Sequence, residues 1–381
     1  MEQKEHLRLI VIFLSIFCLC AVVASFKLLS SVFMPLTVAI LLSLVFYPLC
    51  RKLNKLRIPW VVCVLIIIAL AIIAIYIVGQ LLVTSLSAVI ASYPRYESKF
   101  TSIYQSICET FGIQYDYENT LWNNLVNSLN VRSALQSLAI SLSSGLVTFV
   151  KTLLVVGLFV AFFLIEMPTL NKKMELMFAE QHKRSKLHLM AKKTIAEVTH
   201  YISIKFFISL ITGILVGLST FVIHMDFPII WGFIAFTLNF IPSFGSIISW
   251  TVTTLFAVLQ FYPHWGYAVY VGFMVLAINM ILGNVIEPRW EGSDLGISPF
   301  MILVSLSFFG WMWGFVGMIM AVPLMVIIKI MCENNEHLSS FAILIGNGTP
   351  KSKKKKWQTR REEKQHAQKD DTTAKEITPQ Q

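Results

Sequence analysis

Formal charge is scarce in this chain, and its scarcity excludes most classes of soluble protein. Only 14% of the 381 residues are Asp, Glu, Lys or Arg, whereas 56% are hydrophobic. An average soluble chain has about 25% charged and about 45–50% apolar residues. This chain therefore has too few charges to cover a surface that faces water. Its composition excludes a soluble enzyme and an intrinsically disordered chain.

Cysteine clusters and catalytic motifs are also missing from the sequence. The six cysteines lie mostly in or beside apolar runs and form no C-x-x-C pair, so neither a disulfide framework nor a metal site is predicted. The sequence contains no H-E-x-x-H motif and no G-x-x-x-x-G-K-[ST] phosphate loop. We therefore expect no catalytic site, no cofactor and no hydrolysis of ATP by this chain.

Long uncharged apolar runs are what the sequence has in abundance. One membrane crossing takes about 20 apolar helical residues, and several runs reach or exceed that length. The pattern predicts an all-α polytopic membrane protein with about eight hydrophobic segments. The main runs are Leu9–Phe26, Leu28–Cys50, Ile58–Pro94, Phe207–Phe221, Phe227–Ile286 and Leu295–Ile328.

The placement of Lys and Arg predicts the topology and accounts for the net charge of +10. Loop 51–57 holds four basic residues and segment 166–200 holds seven, while 83–145 holds three. By the positive-inside rule, the N-terminus then lies inside and 83–145 lies outside. The tail 349–381 holds ten basic residues against five acids, which is half of the excess. A nucleic-acid partner is not needed to explain the charge.

The predicted organisation has five parts. Residues 1–82 form N-terminal transmembrane helices, and 83–145 form an extracytoplasmic segment. Leucines recur there at helical spacing between 121 and 142, which predicts an amphipathic helix that packs on another copy, the membrane body or the lipid surface. Residues 146–200 form a transmembrane helix and a basic cytoplasmic connector, and 201–332 form a C-terminal core. Residues 333–381 form a basic, disordered tail that could hold anionic lipid.

Two apolar stretches in the C-terminal half are too long for one span and are broken near their centres. The stretch Ile229–Gln260 contains Pro242 and Gly245 in its middle, and Leu295–Ile328 contains several glycines. Each stretch is either one long kinked span or a re-entrant hairpin. We favour hairpins, which would give one helix-plus-hairpin unit repeated with opposite orientation, a recurring design in transporters. The predicted structural breaks of the second stretch are Gly310, Gly314, Gly317 and Pro323.

Polar residues near these breaks are the candidate pathway for a substrate or an ion. Placing an ionisable residue inside the membrane costs free energy, so such residues indicate function. Pro288 favours a bend at which the side chains of Glu287 and Arg289 can pair. Lys205 lies only a few residues inside its span, and we expect its amine to reach the membrane surface. The candidate pathway residues are Asn239, Pro242, Ser243, Gly245, Ser246, Asn279, Asn284, Glu287 and Arg289.

Several motifs in this half resemble the autoinducer-2 exporter family of membrane permeases. The order and spacing of the motifs agree with the family over about residues 200–346, and the pattern of apolar segments agrees over residues 1–346. Glu291 and Asp294 depart from it, since family members often carry basic residues in that loop. The motifs are Leu238-Asn239-Phe240-Ile241-Pro242-Ser243-Phe244-Gly245-Ser246, Gly283-Asn284-Val285-Ile286-Glu287-Pro288-Arg289, Leu295-Gly296-Ile297-Ser298-Pro299, Gly310-Trp311 with Gly314-Phe315-Val316-Gly317, and Ala321-Val322-Pro323-Leu324.

The resemblance implies a permease in the bacterial inner membrane that moves a small solute, with a signal molecule such as autoinducer-2 as one candidate. Other members of the family are linked to sodium/proton exchange, in which Glu287 would be the carrier. The resemblance also implies a homo-oligomer. Independently of the resemblance, the distribution of Lys and Arg predicts both termini in the cytoplasm. A membrane scaffold or sensor that transports nothing is the alternative from a different class.

Overall fold

The computed structural model describes residues 2–111, 151–169, 173, 181–291, 296–334 and 338–346. These residues are almost entirely helical, and within them the sole β-pairing is an isolated bridge between Ile297 and Gly346. The helices are α1 (Glu2–Leu28), α2 (Ser30–Asn54), α3 (Trp60–Phe111), α4 (Lys151–Thr169), α5 (Gln181–Val222), α6 (Pro228–Leu238), α7 (Phe244–Phe261), α8 (Trp265–Met280), a π-helical turn (Ile281–Ile286), α9 (Glu287–Glu291), α10 (Pro299–Glu333) and α11 (Ser339–Ile345).

Seven of the described helices are long and apolar enough to cross a membrane, and α1 adds a shorter apolar segment, Phe13–Leu28. Their large apolar side chains are widely exposed, as on Phe13, Tyr76 and Phe162. Exposed apolar surface of this extent suits contact with lipid rather than with water. The prediction of an all-α polytopic membrane protein is confirmed.

Helix α3 extends far beyond the predicted end of its span. It has 52 residues, which at about 1.5 Å per residue makes it about 78 Å long, more than twice the thickness of a bilayer core. The predicted boundary between residues 82 and 83 falls inside this continuous helix, so the first part of 83–145 is an extension of a span. The amphipathic helix predicted at 121–142 lies outside the described residues, as do most of the tail 333–381 and the start of 146–200.

The first broken stretch folds back on itself, and we call α6 with α7 hairpin 1. At its tip, Gly245 lies so close to Leu238 that a Cβ atom added to the glycine would overlap the Leu238 carbonyl oxygen. At its open end, the backbone N–H of Asp226 donates to Gln260 Oε1 over 2.8 Å, and Gln260 Nε2 donates to the His224 carbonyl over 3.2 Å. Both ends of the stretch therefore lie together, as predicted for a hairpin.

The second broken stretch is also folded back, and we call the two arms of α10 hairpin 2. The backbone leaves helical geometry at Trp313 and Gly314, where Gly314 has φ +64° and ψ −143°. A Cβ atom added to Gly317 would overlap the carbonyl oxygen of Phe309 in the opposite arm. At the open end, Lys329 Nζ donates to the Gly296 carbonyl over 2.9 Å. The break glycines predicted from the sequence thus form a tight tip, while Pro323 is buried in the second arm.

The two hairpins enter the fold from opposite ends of α8. Hairpin 1 closes just before Trp265, where α8 begins, and hairpin 2 opens after Trp290, where the continuous apolar helix ends. Their tips approach each other, because Ile241 of hairpin 1 joins a buried cluster with Leu306, Phe309, Met312, Trp313 and Ala321 of hairpin 2. This arrangement agrees with the predicted inverted repeat.

Candidate functional site

The tip of hairpin 1 brings together most of the residues that the sequence marks as a pathway. Pro242 has no N–H to continue a helix, and Ser243 adopts a left-handed conformation with φ +63°. The chain then re-enters α7 at Phe244, whose N–H donates to the Pro242 carbonyl over 2.7 Å. Ser246 Oγ donates to the Ser243 carbonyl over 3.0 Å and ties the turn to α7.

Two asparagines connect this tip to the neighbouring helices. Asn239 is buried, and its Nδ2 donates to Ser209 Oγ on α5 over 3.0 Å. Asn279 on α8 approaches the Ser246 carbonyl with its Nδ2 at 3.5 Å. The third predicted asparagine, Asn284, is exposed and lies away from the tip, beyond the start of the π-helical turn. The tip therefore offers amide and hydroxyl groups, together with unwound backbone, and carries no formal charge.

A buried ion pair lies beyond the C-terminal end of α8, past the π-helical turn. Lys205 Nζ is 2.6 Å from Glu287 Oε1, with the two side chains only 7% and 15% exposed. Glu287 follows the π-helical turn Ile281–Ile286, and its N–H donates to the Leu282 carbonyl five residues earlier. Helical structure continues from this turn through Pro288 to Glu291. Single π turns inside α-helices occur frequently at functional sites.

The structure corrects two sequence predictions at this ion pair. Within the described part of the chain, Glu287 forms its ion pair with Lys205, while Arg289 is exposed and joins no ion pair. Lys205 does not reach the surface, because it is buried against Glu287. The sequence offered only a weak signal for the pair: two residues of opposite charge, in or next to different apolar segments, each costly to bury alone.

A third polar cluster holds the open end of hairpin 1 against the extension of α3. The Tyr96 hydroxyl and Arg95 Nη1 both donate to Asp226 Oδ2, the latter over 3.4 Å. Lys99 donates to the Gln260 carbonyl. Burial raises the pKa of Tyr96 above its ordinary value, and the bond to Asp226 raises it further. Burial also lowers the pKa of Lys99, as does the nearby positive charge of Arg95.

This cluster was not predicted, because the position of Asp226 at the outer end of an apolar span suggested only that it marks the end of that span. No local pattern links 95–99 to 226 and 260. The contacts form because α3 continues as a helix beyond its span and reaches the open end of hairpin 1. The cluster therefore connects a segment beyond the apolar span to one of the two hairpins.

The tip of hairpin 2 is held by the end of α1. Trp313 Nε1 donates to the Phe26 carbonyl over 3.3 Å, and Lys27 Nζ lies 3.4 Å from the centre of the Trp311 ring. A cation over an indole face is attracted by the negative potential of the ring. The tip is thereby anchored to the end of α1, opposite the open end of its own hairpin.

Among the described residues, no group of three or more His, Cys, Asp or Glu could hold a metal ion. Three of the described polar groups near the hairpins are the neutral tip of hairpin 1, the Lys205–Glu287 pair and the Asp226 cluster, and Lys329 with Glu333 at the open end of hairpin 2 is another. Such an arrangement provides hydrogen-bonding positions at depth and a charged contact at each end of α8.

Comparison with known proteins gives a consistent match over most of the chain. The profile of one family, described as AI-2E family transporter, matches residues 13–336. A protein of Borreliella burgdorferi, named as a candidate transport protein, is 29% identical over 325 residues, which cover 85% of this chain and 87% of the relative. A similarly named protein of Haemophilus influenzae is 28% identical, over 91% of this chain and 99% of the relative.

One relative has a more specific name. The AI-2 transport protein TqsA of Escherichia coli is 27% identical over 335 residues, which cover 86% of this chain and 93% of TqsA. The family profile extends from within α1 to just beyond the end of α10 and so includes both hairpins and the three polar clusters described above.

Proposed function

The chain belongs to the AI-2E family of transporters and is a membrane permease, and on that premise we propose that it moves a small solute by alternating access, with the two hairpins as the gating elements. The observation that carries this proposal is the meeting of two oppositely directed hairpin tips at Ile241 and Trp313. Unwound backbone at membrane depth is tolerated where it is enclosed by protein or lines a cavity. Broken helices of this kind form substrate sites in secondary transporters.

On this proposal the solute is polar but carries no charge. Asn239, Ser243 and Asn279 supply neutral hydrogen-bonding groups at the tip of hairpin 1, and no formal charge occurs between Phe227 and Ile286. A polyhydroxylated signal molecule such as AI-2, named for the relative TqsA, fits this chemistry. Export of such a signal is the specific form of the proposal.

An export assay tests the proposal directly. Liposomes that contain the purified protein and are loaded with AI-2 should release AI-2 faster than protein-free liposomes loaded in the same way. The variant Asn239→Ala removes the buried amide that bonds Ser209 and should slow release by about tenfold, the effect of about 1.4 kcal/mol. Asn284→Ala, at an exposed position of α8's continuation, is the matched control and should export normally. The proposal would be overturned if liposomes with the unaltered protein released AI-2 no faster than protein-free liposomes.

Sodium/proton exchange has less support from the structure. In that function Glu287 would bind the cation or proton, but Lys205 already neutralises its carboxylate at 2.6 Å. A scaffold that moves nothing is tested by the same export assay. We therefore keep solute transport as the proposed function.

We propose that the chain lies in the bacterial inner membrane with both termini in the cytoplasm, as the distribution of Lys and Arg supports. The hairpin geometry makes a specific prediction for the loop 292–295, which precedes hairpin 2. In a variant without native cysteines, Ser293→Cys should stay unlabelled when an impermeant thiol reagent is added to intact cells. Inverted membrane vesicles should label it readily, as the matched positive control. Rapid labelling in intact cells would show that the topology is reversed or that the stretch Ile229–Gln260 crosses the membrane as a single span.

We also propose that copies of the chain associate. Ser243 and Phe244 at the tip of hairpin 1, and Gly314 and Phe315 at the tip of hairpin 2, are exposed on the single chain. Irregular backbone does not face lipid at membrane depth, so a second copy or a water-filled pathway must cover these tips. The mass of the protein particle in detergent, measured by light scattering, distinguishes an oligomer from a single chain.

A further inference from the structure

The short helix α11 has an exposed side that is apolar. Phe341, Ile343 and Leu344 are each more than half exposed, and we call these three side chains the α11 face. No Asp, Glu, Lys or Arg occurs between residues 338 and 350. A contiguous apolar surface without charge does not suit contact with water and marks a contact surface.

The opposite side of α11 is fastened to the open end of hairpin 2. The N–H of Ser298, which directly precedes α10, donates to the Ile345 carbonyl over 2.9 Å, and Ile297 pairs with Gly346 in the isolated bridge. The side chain of Ile345 is buried in a cluster with Val326 and other residues of hairpin 2. Any force that acts on α11 therefore also acts on the start of hairpin 2.

Charged side chains place this end of hairpin 2 at the boundary between lipid and water. The apolar stretch ends at Ile328. Beyond it, Lys193 Nζ donates to Glu333 Oε2 over 3.1 Å, and Lys329 Nζ lies 3.6 Å from Glu333 Oε1. Helix α11 begins six positions after Glu333. An apolar helix face at that level can lie among lipid headgroups with its side chains directed to the acyl chains.

The sequence that follows α11 is strongly basic. Residues 347–361 contain seven Lys or Arg and no Asp or Glu, with Trp357 among them. They lie beyond the described part of the chain, and their charge is read from the sequence. Each basic residue near an anionic lipid surface adds to the attraction. A second copy of the chain would bring the same positive charge to the α11 face and would be repelled, so the charge favours anionic lipid as the partner.

We propose that the α11 face rests in the headgroup region of the membrane, that the basic segment behind it gathers anionic phospholipid there, and that this lipid regulates hairpin 2. An apolar contact and a basic segment together hold a membrane surface more firmly than either one alone. The regulation rests on the proposed transport function, in which hairpin 2 is a gating element, whereas the lipid contact does not. On the proposed topology this surface meets the cytoplasmic leaflet, which carries anionic lipid.

Quenching by brominated lipid tests the lipid contact without a transport measurement. In the variant without native cysteines, Leu344→Cys carries a bimane label, and the full chain is reconstituted in vesicles of phosphatidylcholine mixed with phosphatidylglycerol. Bromine on the acyl chains quenches the label only on contact. At equal amounts of both lipids, brominated phosphatidylglycerol should quench about fivefold more efficiently than brominated phosphatidylcholine, the preference that about 1 kcal/mol from one basic residue gives.

Two kinds of control isolate the anionic preference. Val269→Cys is the matched position, because Val269 is 69% exposed, close to the 67% of Leu344, and lies in the uncharged run Phe227–Ile286. Both brominated lipids should quench its label equally. Replacing five lysines close to α11 by Gln should abolish the preference at Leu344, whereas replacing three lysines farther along should not. The five are Lys351, Lys353, Lys354, Lys355 and Lys356, and the three are Lys364, Lys369 and Lys375. Equal quenching by both lipids at Leu344, or quenching by neither, would overturn the proposal.

Export measures the regulation separately. Lipid that holds α11 restrains the open end of hairpin 2, so AI-2 release should be slower in vesicles that contain phosphatidylglycerol than in pure phosphatidylcholine. The change should reach up to about fivefold, because a ligand shifts an equilibrium by no more than its differential affinity. The five-lysine variant should release AI-2 equally in both. Equal release by the unaltered protein, or a lipid effect that persists in the five-lysine variant, would overturn the regulation. If the unaltered protein exports nothing in either lipid, the transport function fails, and quenching at Leu344 still decides the lipid contact.

Discussion

Replacing Glu287 by Gln is expected to lower the melting temperature strongly and to abolish transport, because it leaves Lys205 charged, buried and unpaired. Breaking a buried ion pair by removing one partner costs about 3–5 kcal/mol, and both side chains of this pair are largely buried. Lys205→Met should have a similar effect, since it leaves the Glu287 carboxylate without its partner. Thermal unfolding of the purified protein and its membrane yield measure the loss.

The double variant Lys205→Met with Glu287→Gln separates a structural role from a functional one. It has no uncompensated charge, so its melting temperature should recover most of the loss. If the pair also gates transport at this end of α8, the recovered protein should still export slowly. Arg289→Gln, at an exposed position two residues away, is the control and should be normal in both measurements. Equal instability of the single and double variants would contradict the pairing argument.

Much of the fold follows from sequence patterns with a simple physical cause. Uncharged runs of the length of a bilayer predict the spans, and glycine or proline in the middle of an overlong run predicts a fold-back. Pro242 and Gly245 in the first stretch, and Gly314 and Gly317 in the second, lie at the observed tips. The prediction succeeds because each break needs a residue type that only a few positions supply.

The contacts between distant segments could not be read from the sequence in the same way. Lys205 and Glu287 are 82 positions apart, and Tyr96 and Asp226 are 130 apart. Periodicity and composition describe one segment at a time, and pairings across segments depend on how the helices pack. The neighbouring Arg289 was the expected partner of Glu287 because sequence proximity was the available criterion.

Local geometry also overrode two expectations about helix ends. The polar segment after residue 82 predicts the end of the apolar span, and the helix α3 itself continues beyond it to Phe111. Pro288 disfavours a continuous helix, yet helical structure continues from the π-helical turn through Pro288 to Glu291. Both cases show helical structure persisting where a composition change or a proline predicts an end.

The hairpin tips are the second place where a small substitution should have a large effect. Gly245→Ala and Gly317→Ala each add a methyl group that would overlap a backbone carbonyl oxygen in the opposite arm, on Leu238 and Phe309 respectively. Backbone cannot move aside as a flexible side chain can, so the two arms must separate. Overpacking typically costs about 1–3 kcal/mol or more, and we expect low membrane yield for both variants. Gly266→Ala is the control, because a Cβ atom there meets no neighbour.

The variant Gly314→Ala tests backbone strain at the tip of hairpin 2 separately from a steric clash, which Gly317→Ala tests. A Cβ atom at Gly314 meets nothing within 4 Å, but its φ of +64° with ψ −143° strongly favours glycine. Strain in such a region costs about 1–3 kcal/mol, so yield should fall less than in Gly317→Ala. If the tip changes shape during alternating access, the strain is released in one of the two conformations of hairpin 2. The substitution should then shift the populations of these two conformations. We expect Gly314→Ala to reach the membrane and to transport at an altered rate. Membrane yield and export, measured together for the four glycine variants, check this order, and wild-type yield in Gly245→Ala would show that the arms do not pack as described.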